Sequence, residues 1–311
     1  MSGTRDAVVA WIPSSTRRDE LGVASGSNGL AWLRANLPDG VVLVDAPRDD
    51  VRFAVPQWGI DFEPARMPAL EVVQLRSAGV DWIVDRIPPH VTLCGARGTR
   101  DGAMAEWVVA ALLADLKGVR PFAEAQAAHR WKRLDIDDLR GLKVLILGHG
   151  SSGRELERLL LPFGAQVRGV ARRARDGVAG LSELGSLLPW ADALVNLLPL
   201  TEATRALVDA EMLSRLPAGA LYINAGRGPT TDTGALLAEL ASGRLRAVLD
   251  VVDPEPLPPE HPLWEAPGVL ISPHVAGDTA SSDRAAWRLV GEQLGRFAAG
   301  EPLLNVVREG Y

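Results

Sequence analysis

The chain has 311 residues, 47% of them hydrophobic and 23% charged, with a formal net charge of −6. That length exceeds one ordinary hydrophobic core and implies two domains of ordinary globular composition. The acidic balance excludes a basic footprint for nucleic acid, so an anionic ligand must be held by local arginines.

In chain order, the first apolar run, 7–13, is followed by Arg17-Arg18-Asp19-Glu20 and is too short for a signal-peptide core. No run approaches the roughly 20 residues of a membrane helix, so a cytoplasmic protein without a membrane partner is expected. Segments 7–12, 41–44, 51–55, 70–75 and 91–94 read as buried strands, punctuated by Leu37-Pro38-Asp39-Gly40 and Ile87-Pro88-Pro89. Helical stretches alternate with them, which is the pattern of an α/β protein with a parallel sheet. The last of these strands carries the single cysteine, Cys94, which makes no disulfide within the chain and no metal cluster with the five histidines. It reads as a small buried thiol, and no metal is expected.

Residues 101–117 form one long predicted helix, with Asp101 near its start and Gly118 just past its end. It is apolar nearly all round and is expected to be buried. A second βα series follows. It comprises strands at 142–147, 166–170, 194–197, 220–224, 247–251 and 269–271, helices at 153–161, 209–216 and 232–242, and a last helix at 282–299. The Pro-rich stretch 254–259 reads as a rigid loop.

Gly148-His149-Gly150-Ser151-Ser152-Gly153 has the spacing G-x-G-x-x-G, directly after the apolar run Val144-Leu145-Ile146-Leu147 and at the opening of a helix. In that context the first glycine permits the tight turn, the second lets backbone approach a pyrophosphate, and the third packs helix on strand. The helix N-terminus then offers free N–H groups to phosphate. An acid that reads the adenosine ribose is expected about 20 residues further on. Ala171 stands there instead, followed by Arg172 and Arg173, with Arg175 close by. Losing the acid removes the repulsion of a 2′-phosphate, and arginine can bind that group through two donors. NADP is therefore favoured over NAD.

Three segments at successive strand ends carry the remaining chemistry: Asn224-Ala225-Gly226-Arg227-Gly228, Asp250-Val251-Val252-Asp253-Pro254-Glu255-Pro256 and Ser272-Pro273-His274-Val275-Ala276-Gly277. Open α/β sheets bind ligands at such carboxyl ends. Arg227 can anchor a carboxylate and carbonyl through its planar fork. His274 can give a proton near neutral pH, and Glu255 beside it would fix the imidazole tautomer and favour the charged ring. His90, His129 and His261 lie in polar or Pro-rich loops, and His149 occupies a variable position of the Gly-rich loop.

With these signatures the sequence resembles the D-isomer-specific 2-hydroxyacid dehydrogenase family over nearly its whole length. Leu197-Leu198-Pro199-Leu200-Thr201 with Thr204-Arg205 matches the family's nucleotide-side loop, and the three segments above match its arginine, glutamate and histidine signatures. The resemblance implies two Rossmann-like domains, the nucleotide domain (98–281) being inserted into a substrate domain built from 1–97 and 282–311. It implies Arg227, Glu255 and His274 as the catalytic trio. Gly148, His149, Gly150, Ser151, Ser152, Gly153, Ala171, Arg172, Arg173, Leu198, Pro199, Thr204, Ala225, Gly226, Asp250, Ala276 and Gly277 are the expected cofactor contacts. Val73-Gln74-Leu75-Arg76-Ser77-Ala78-Gly79-Val80-Asp81 is similar to the family's substrate loop. It implies backbone N–H groups of Ser77, Ala78 and Gly79 that hold the carboxylate of a small 2-ketoacid opposite Arg227 and His274. A homodimer using the region near the long helix is implied as well. The missing ribose acid resembles the glyoxylate/hydroxypyruvate reductase members. An NAD-dependent phosphoglycerate-type dehydrogenase and a nucleotide-sensing binding protein of the same fold are the alternatives. Glu255, where formate dehydrogenases of this fold pair the histidine with glutamine, argues against that activity, and no regulatory domain is expected after Tyr311.

Overall fold

The computed structural model describes residues 7–13 and 29–308. The run Arg17-Arg18-Asp19-Glu20 and Tyr311 lie outside the described residues. In chain order the elements are β1 (Val8–Trp11), α1 (Gly29–Ala35), β2 (Val41–Val44), β3 (Val51–Ala54), β4 (Val72–Gln74), β5 (Thr92–Cys94), α2 (Asp101–Leu116), α3 (Val119–Ala127), β6 (Lys143–Leu147), α4 (Ser151–Leu160), β7 (Gln166–Ala171) and β8 (Val178–Gly180). They continue with α5 (Leu184–Leu187), β9 (Ala193–Asn196), α6 (Ala210–Ser214), β10 (Leu221–Asn224), α7 (Thr233–Ala241), β11 (Arg246–Leu249), β12 (Val269–Ile271) and α8 (Ala280–Ala299).

The chain is α/β, and its contacts divide it into two units. One runs to Arg100 and resumes at Asp278; the other is Asp101–Gly277. The sequence alone puts these boundaries after residue 97 and before residue 282. The first unit holds a five-stranded sheet in the order β2-β1-β3-β4-β5, and the second a seven-stranded sheet in the order β12-β11-β10-β9-β6-β7-β8. Every pairing in both is parallel. Each sheet is covered by apolar clusters on both faces, which is why its strands read as continuous apolar runs rather than as alternating ones.

In the seven-stranded sheet the order in which strands are added reverses between β6 and β9, which are parallel neighbours. In a doubly wound sheet that switch point opens a crevice at the carboxyl ends of the strands. The Gly-rich loop leaves β6 there, and the 197–205 loop leaves β9.

The long helix α2 is buried on one face by its own unit. Ala105, Val108, Ala111 and Leu112 are buried against the sheet, while Met104, Val109, Leu113 and Leu116 are only partly covered. Two elements carry little apolar signal. In α3 only Ala125 is buried, and β8 is a three-residue edge strand. No described helix is long and apolar enough to cross a membrane. No cluster of metal-ligating side chains occurs among the described residues.

Candidate active site

The crevice of the second unit is shaped by its glycines. Gly148 has φ +98°, and a Cβ on it would lie 2.8 Å from the Leu197 carbonyl carbon, so the loops after β6 and β9 touch backbone to backbone. A Cβ on Gly153 would lie 2.9 Å from the Gly148 carbonyl oxygen, which fixes α4 close under the loop. Gly150 meets nothing within 4 Å. Its open face leads into the first turn of α4, whose N-cap has no side-chain bond. The N–H groups of Ser151, Ser152 and Gly153 have no acceptor among the described residues, as a helix N-terminus leaves them. Tight packing below and open donors above fit a dinucleotide pyrophosphate.

At the adenosine end, β7 finishes on the half-buried Ala171. Arg172 and Arg173 are exposed, and neither has a hydrogen-bond or ion-pair partner among the described residues.

The three signature segments leave β10, β11 and β12, which are neighbours in the sheet. Asn224 at the end of β10 bends its turn by accepting the Gly226 N–H (3.0 Å) and donating to the Arg227 carbonyl (3.2 Å). The Arg227 guanidinium donates to the Gly226 carbonyl at 2.8 Å. A Cβ on Gly228 would lie 1.8 Å from the Val252 carbonyl oxygen, so only glycine lets this turn pack against the loop that leads to Glu255. The Glu255 Oε1 lies 2.6 Å from His274 Nδ1, and both side chains are partly exposed. A carboxylate only accepts, so Nδ1 carries hydrogen and Nε2 is left for the solvent side.

Asp250 holds the histidine loop. Its Oδ1 accepts from the Ser272 hydroxyl (2.6 Å) and the Val275 N–H (2.9 Å), and its Oδ2 from the Ala276 N–H (2.8 Å). Its carbonyl accepts the His274 N–H at 2.8 Å. These bonds fix His274 at φ 55°, a left-handed backbone that costs a non-glycine residue on the order of 1 kcal/mol.

Four residues read as cofactor contacts turn their side chains to the protein instead. Asp250 is committed as described. His149 is buried and bonded to Glu157 at 2.7 Å. The Ser152 hydroxyl donates to Asp101 at 2.7 Å. The buried Thr204 hydroxyl donates to the Pro199 carbonyl at 2.7 Å and shapes the loop after β9. Leu198, Ala225, Gly226 and Ala276 are buried, and Pro199 and Gly277 are half-buried and buried respectively.

A polar network beneath the Arg227 turn escaped the sequence reading. The Asn196 amide donates to the Tyr222 hydroxyl (2.9 Å) and to Thr230 (2.8 Å), and its oxygen accepts the Leu198 N–H (3.0 Å). The Thr230 hydroxyl donates to the Arg227 carbonyl at 2.6 Å. Burial pushes the Tyr222 phenol up to about 12, against the opposing pull of its bonds to Thr231 and Asn196. The available signal was an Asn closing each of two otherwise apolar strands.

In the first unit, the Ser77 hydroxyl donates to the Gly79 carbonyl (2.8 Å) and the Ser77 carbonyl accepts the Ala96 N–H (2.8 Å). The N–H groups of Ser77, Ala78 and Gly79 have no acceptor among the described residues. Arg76 stiffens the loop by donating to Asp283 (2.7 Å) and Gln57 (2.8 Å) while stacking on Trp287, 4.5 Å from the ring centre.

The sequence pattern of the "D-isomer specific 2-hydroxyacid dehydrogenase, NAD binding domain" matches residues 109–276, more than half of the chain. The chain belongs to the D-isomer-specific 2-hydroxyacid dehydrogenase family. As a member of that family it is an NAD(P)-dependent oxidoreductase. Among dehydrogenases of this family, glyoxylate/hydroxypyruvate reductase A of Klebsiella pneumoniae (strain 342) is 32% identical over 82% of this chain and 86% of its own. A family member from Xanthobacter autotrophicus Py2, solved with NADPH and MES, is 32% identical with a TM-score of 0.83, covering 99% of this chain and 100% of that one. The NADPH-dependent glyoxylate/hydroxypyruvate reductase of Sinorhizobium meliloti, solved with NADP and sulfate, is 31% identical with a TM-score of 0.84, covering 98% and 100%.

Proposed function

We propose that this dehydrogenase reduces glyoxylate, hydroxypyruvate or a similar small 2-ketoacid and prefers NADPH. The observation that carries the catalytic part is the 2.6 Å contact between His274 Nδ1 and Glu255, at the same sheet edge as the Arg227 turn and the open Gly150 cradle. When bound, the nicotinamide cofactor supplies the hydride. His274 gives the carbonyl oxygen its proton from Nε2, while Glu255 holds the ring in the orientation that can do so. Arg227 anchors the substrate's carboxylate and carbonyl. In the first unit, the N–H groups of Ser77, Ala78 and Gly79 have no acceptor among the described residues and suit a carboxylate.

The cofactor preference is supported by Ala171 where an acid is expected and by Arg172 and Arg173, which are exposed and have no side-chain partner among the described residues. The substrate class is supported by the names of the Klebsiella and Sinorhizobium relatives. A homodimer is proposed through the face around α3, where Val119, Phe122, Trp131 and Ile136 are exposed.

The test is a panel of glyoxylate, hydroxypyruvate, pyruvate and 3-phosphohydroxypyruvate with each cofactor. With glyoxylate and hydroxypyruvate, NADPH should give a kcat/KM about tenfold or more above NADH. A preference for NADH or for the phosphorylated acid overturns the reading. Cofactor binding without turnover of any 2-ketoacid would assign a nucleotide sensor.

A further inference from the structure

The Gly-rich loop and the turn after β7 are joined by three side chains that the proposed reaction does not use. His149, 4% exposed, lies folded under its own loop. Its ring occupies the place of a missing side chain: a Cβ on Gly169 in β7 would lie 2.4 Å from His149 Cδ2 and 2.5 Å from Cγ. The pair is therefore fitted, with glycine on the strand and imidazole on the loop. His149 Nε2 lies 2.7 Å from the Glu157 Oε2 on α4. The carboxylate can only accept, so Nε2 carries the hydrogen and Nδ1 lies on the other side of the ring.

Arg175 meets that side. Its Nη2 donates to the His149 backbone carbonyl and stands 3.4 Å from Nδ1. The Arg175 backbone is fixed as well. Its N–H donates to the Val178 carbonyl (2.9 Å) and its carbonyl accepts the Val178 N–H (2.8 Å). Gly177 closes this turn at φ +73°. Nε and Nη1 of Arg175 have no acceptor among the described residues, so the fork keeps donors for an anion. Arg172 and Arg173, by contrast, have no tether among the described residues and must be ordered by what they bind, which costs affinity.

We propose that His149 and Glu157 are positioning residues that preset Arg175 as a 2′-phosphate-binding residue and so set the selectivity for NADP(H) over NAD(H). The proposal rests on the reading that the turn after β7 receives the 2′-phosphate. It adds the residue that is pre-ordered for it and the two that hold that residue. A guanidinium already locked on one edge gives its remaining donors to a phosphate with little further ordering.

The experiment is direct titration of NADPH and of NADH into the protein without substrate, followed by calorimetry or by quenching of tryptophan fluorescence. Native protein is compared with Arg175→Ala, His149→Ala, Glu157→Ala and the Arg175→Ala/His149→Ala double variant, each checked for native melting. Arg175→Ala should weaken NADPH about tenfold and NADH less than about twofold. His149→Ala should weaken NADPH about threefold with NADH unchanged. Glu157→Ala, at a half-exposed site and so the safer variant for folding, should do the same. In the Arg175→Ala background the His149 change should add nothing, because it acts through Arg175. Equal weakening of both cofactors by Arg175→Ala, or additive effects of the two changes, overturns the proposal. An Arg172→Ala/Arg173→Ala variant separates it from the reading beneath it. If neither that variant nor Arg175→Ala alters the NADPH-to-NADH ratio, the 2′-phosphate site itself is misplaced. If the ratio collapses in the first and stays native in Arg175→Ala, only the role of Arg175 fails.

Discussion

Arg227 is the residue at which charge and shape can be separated. Its turn is held by Asn224 and Thr230 from below, so replacing the side chain leaves the backbone in place. Arg227→Lys keeps the charge and loses the planar fork. It should lower kcat/KM for the 2-ketoacid by about a hundredfold or more, with the dissociation constant of NADPH close to native. A Lys variant that keeps most of its kcat/KM would place Arg227 outside substrate contact. Glu255 separates charge from hydrogen bonding. Glu255→Gln retains an acceptor near His274 Nδ1 and removes the carboxylate charge. Reduction consumes the protonated ring and oxidation the neutral one. Both directions need the ring that Glu255 holds, so the variant should lower kcat/KM about tenfold or more in each, with the dissociation constant of NADPH close to native. A native kcat/KM in both directions would remove Glu255 from the mechanism. Both residues stood out in the sequence because each pairs an ionisable group with a strand end. Asn196, Tyr222 and Thr230 did not, since a buried polar network declares itself only when strands distant in the chain become neighbours.

At the scale of elements, two glycines of the same sheet edge should answer alanine in opposite ways. Gly228 carries the Arg227 turn against the Glu255 loop, and the added Cβ would meet the backbone of Val252 at 1.8 Å and 2.2 Å. Backbone cannot yield as a flexible side chain does. Gly228→Ala should cost several kcal/mol or prevent folding, read as a lowered melting temperature or insoluble protein. Gly150 faces open space. Gly150→Ala should cost less than about 1 kcal/mol and weaken NADPH binding about tenfold, because the methyl enters the volume a pyrophosphate needs. A Gly150→Ala protein with native affinity would show that the cradle is not the phosphate site. The periodicity of the strands and the spacing of the glycines made this architecture readable in advance. The long apolar runs are those of parallel strands covered on both faces. What escaped were elements whose apolar surface is small: α3, with one buried residue, and the three-residue β8. The burial of His149 escaped for a different reason. It depends on Gly169, a glycine whose meaning appears only when β7 lies beside the loop.

For the whole molecule, the balance of folded and unfolded chains carries a signature at alkaline pH, written by one residue in each unit. Cys94 is fully buried in the first unit, and burial pushes its thiol up from 9.0 to about 11. Tyr222 is fully buried in the second, and burial pushes its phenol up from 10.0 to about 12. In the unfolded chain both groups regain their ordinary values. Between pH 9 and 11 the unfolded chain has therefore lost the thiol proton that the folded chain keeps, and the folded state binds more protons. Stability then falls as pH rises. It is fully present below about 9, declines through the thiol's range, and declines again between about 10 and 12 as the phenol takes over. Each group contributes a loss on the order of 2–3 kcal/mol across its range. Urea unfolding at a series of pH values from 8 to 11 reads this directly. Cys94→Ala should be less stable than the native chain at pH 8, because it removes packed volume beside β4 and α8. Its stability should nevertheless fall less steeply above pH 9, since the thiol no longer titrates. The same burial should keep Cys94 unreactive towards a thiol reagent in the folded protein and expose it on unfolding. Parallel pH slopes for the native chain and Cys94→Ala, or rapid modification of the folded protein, would mean that the thiol is reached by solvent and that the β4–β5 face of the first unit opens far more readily than its packing implies.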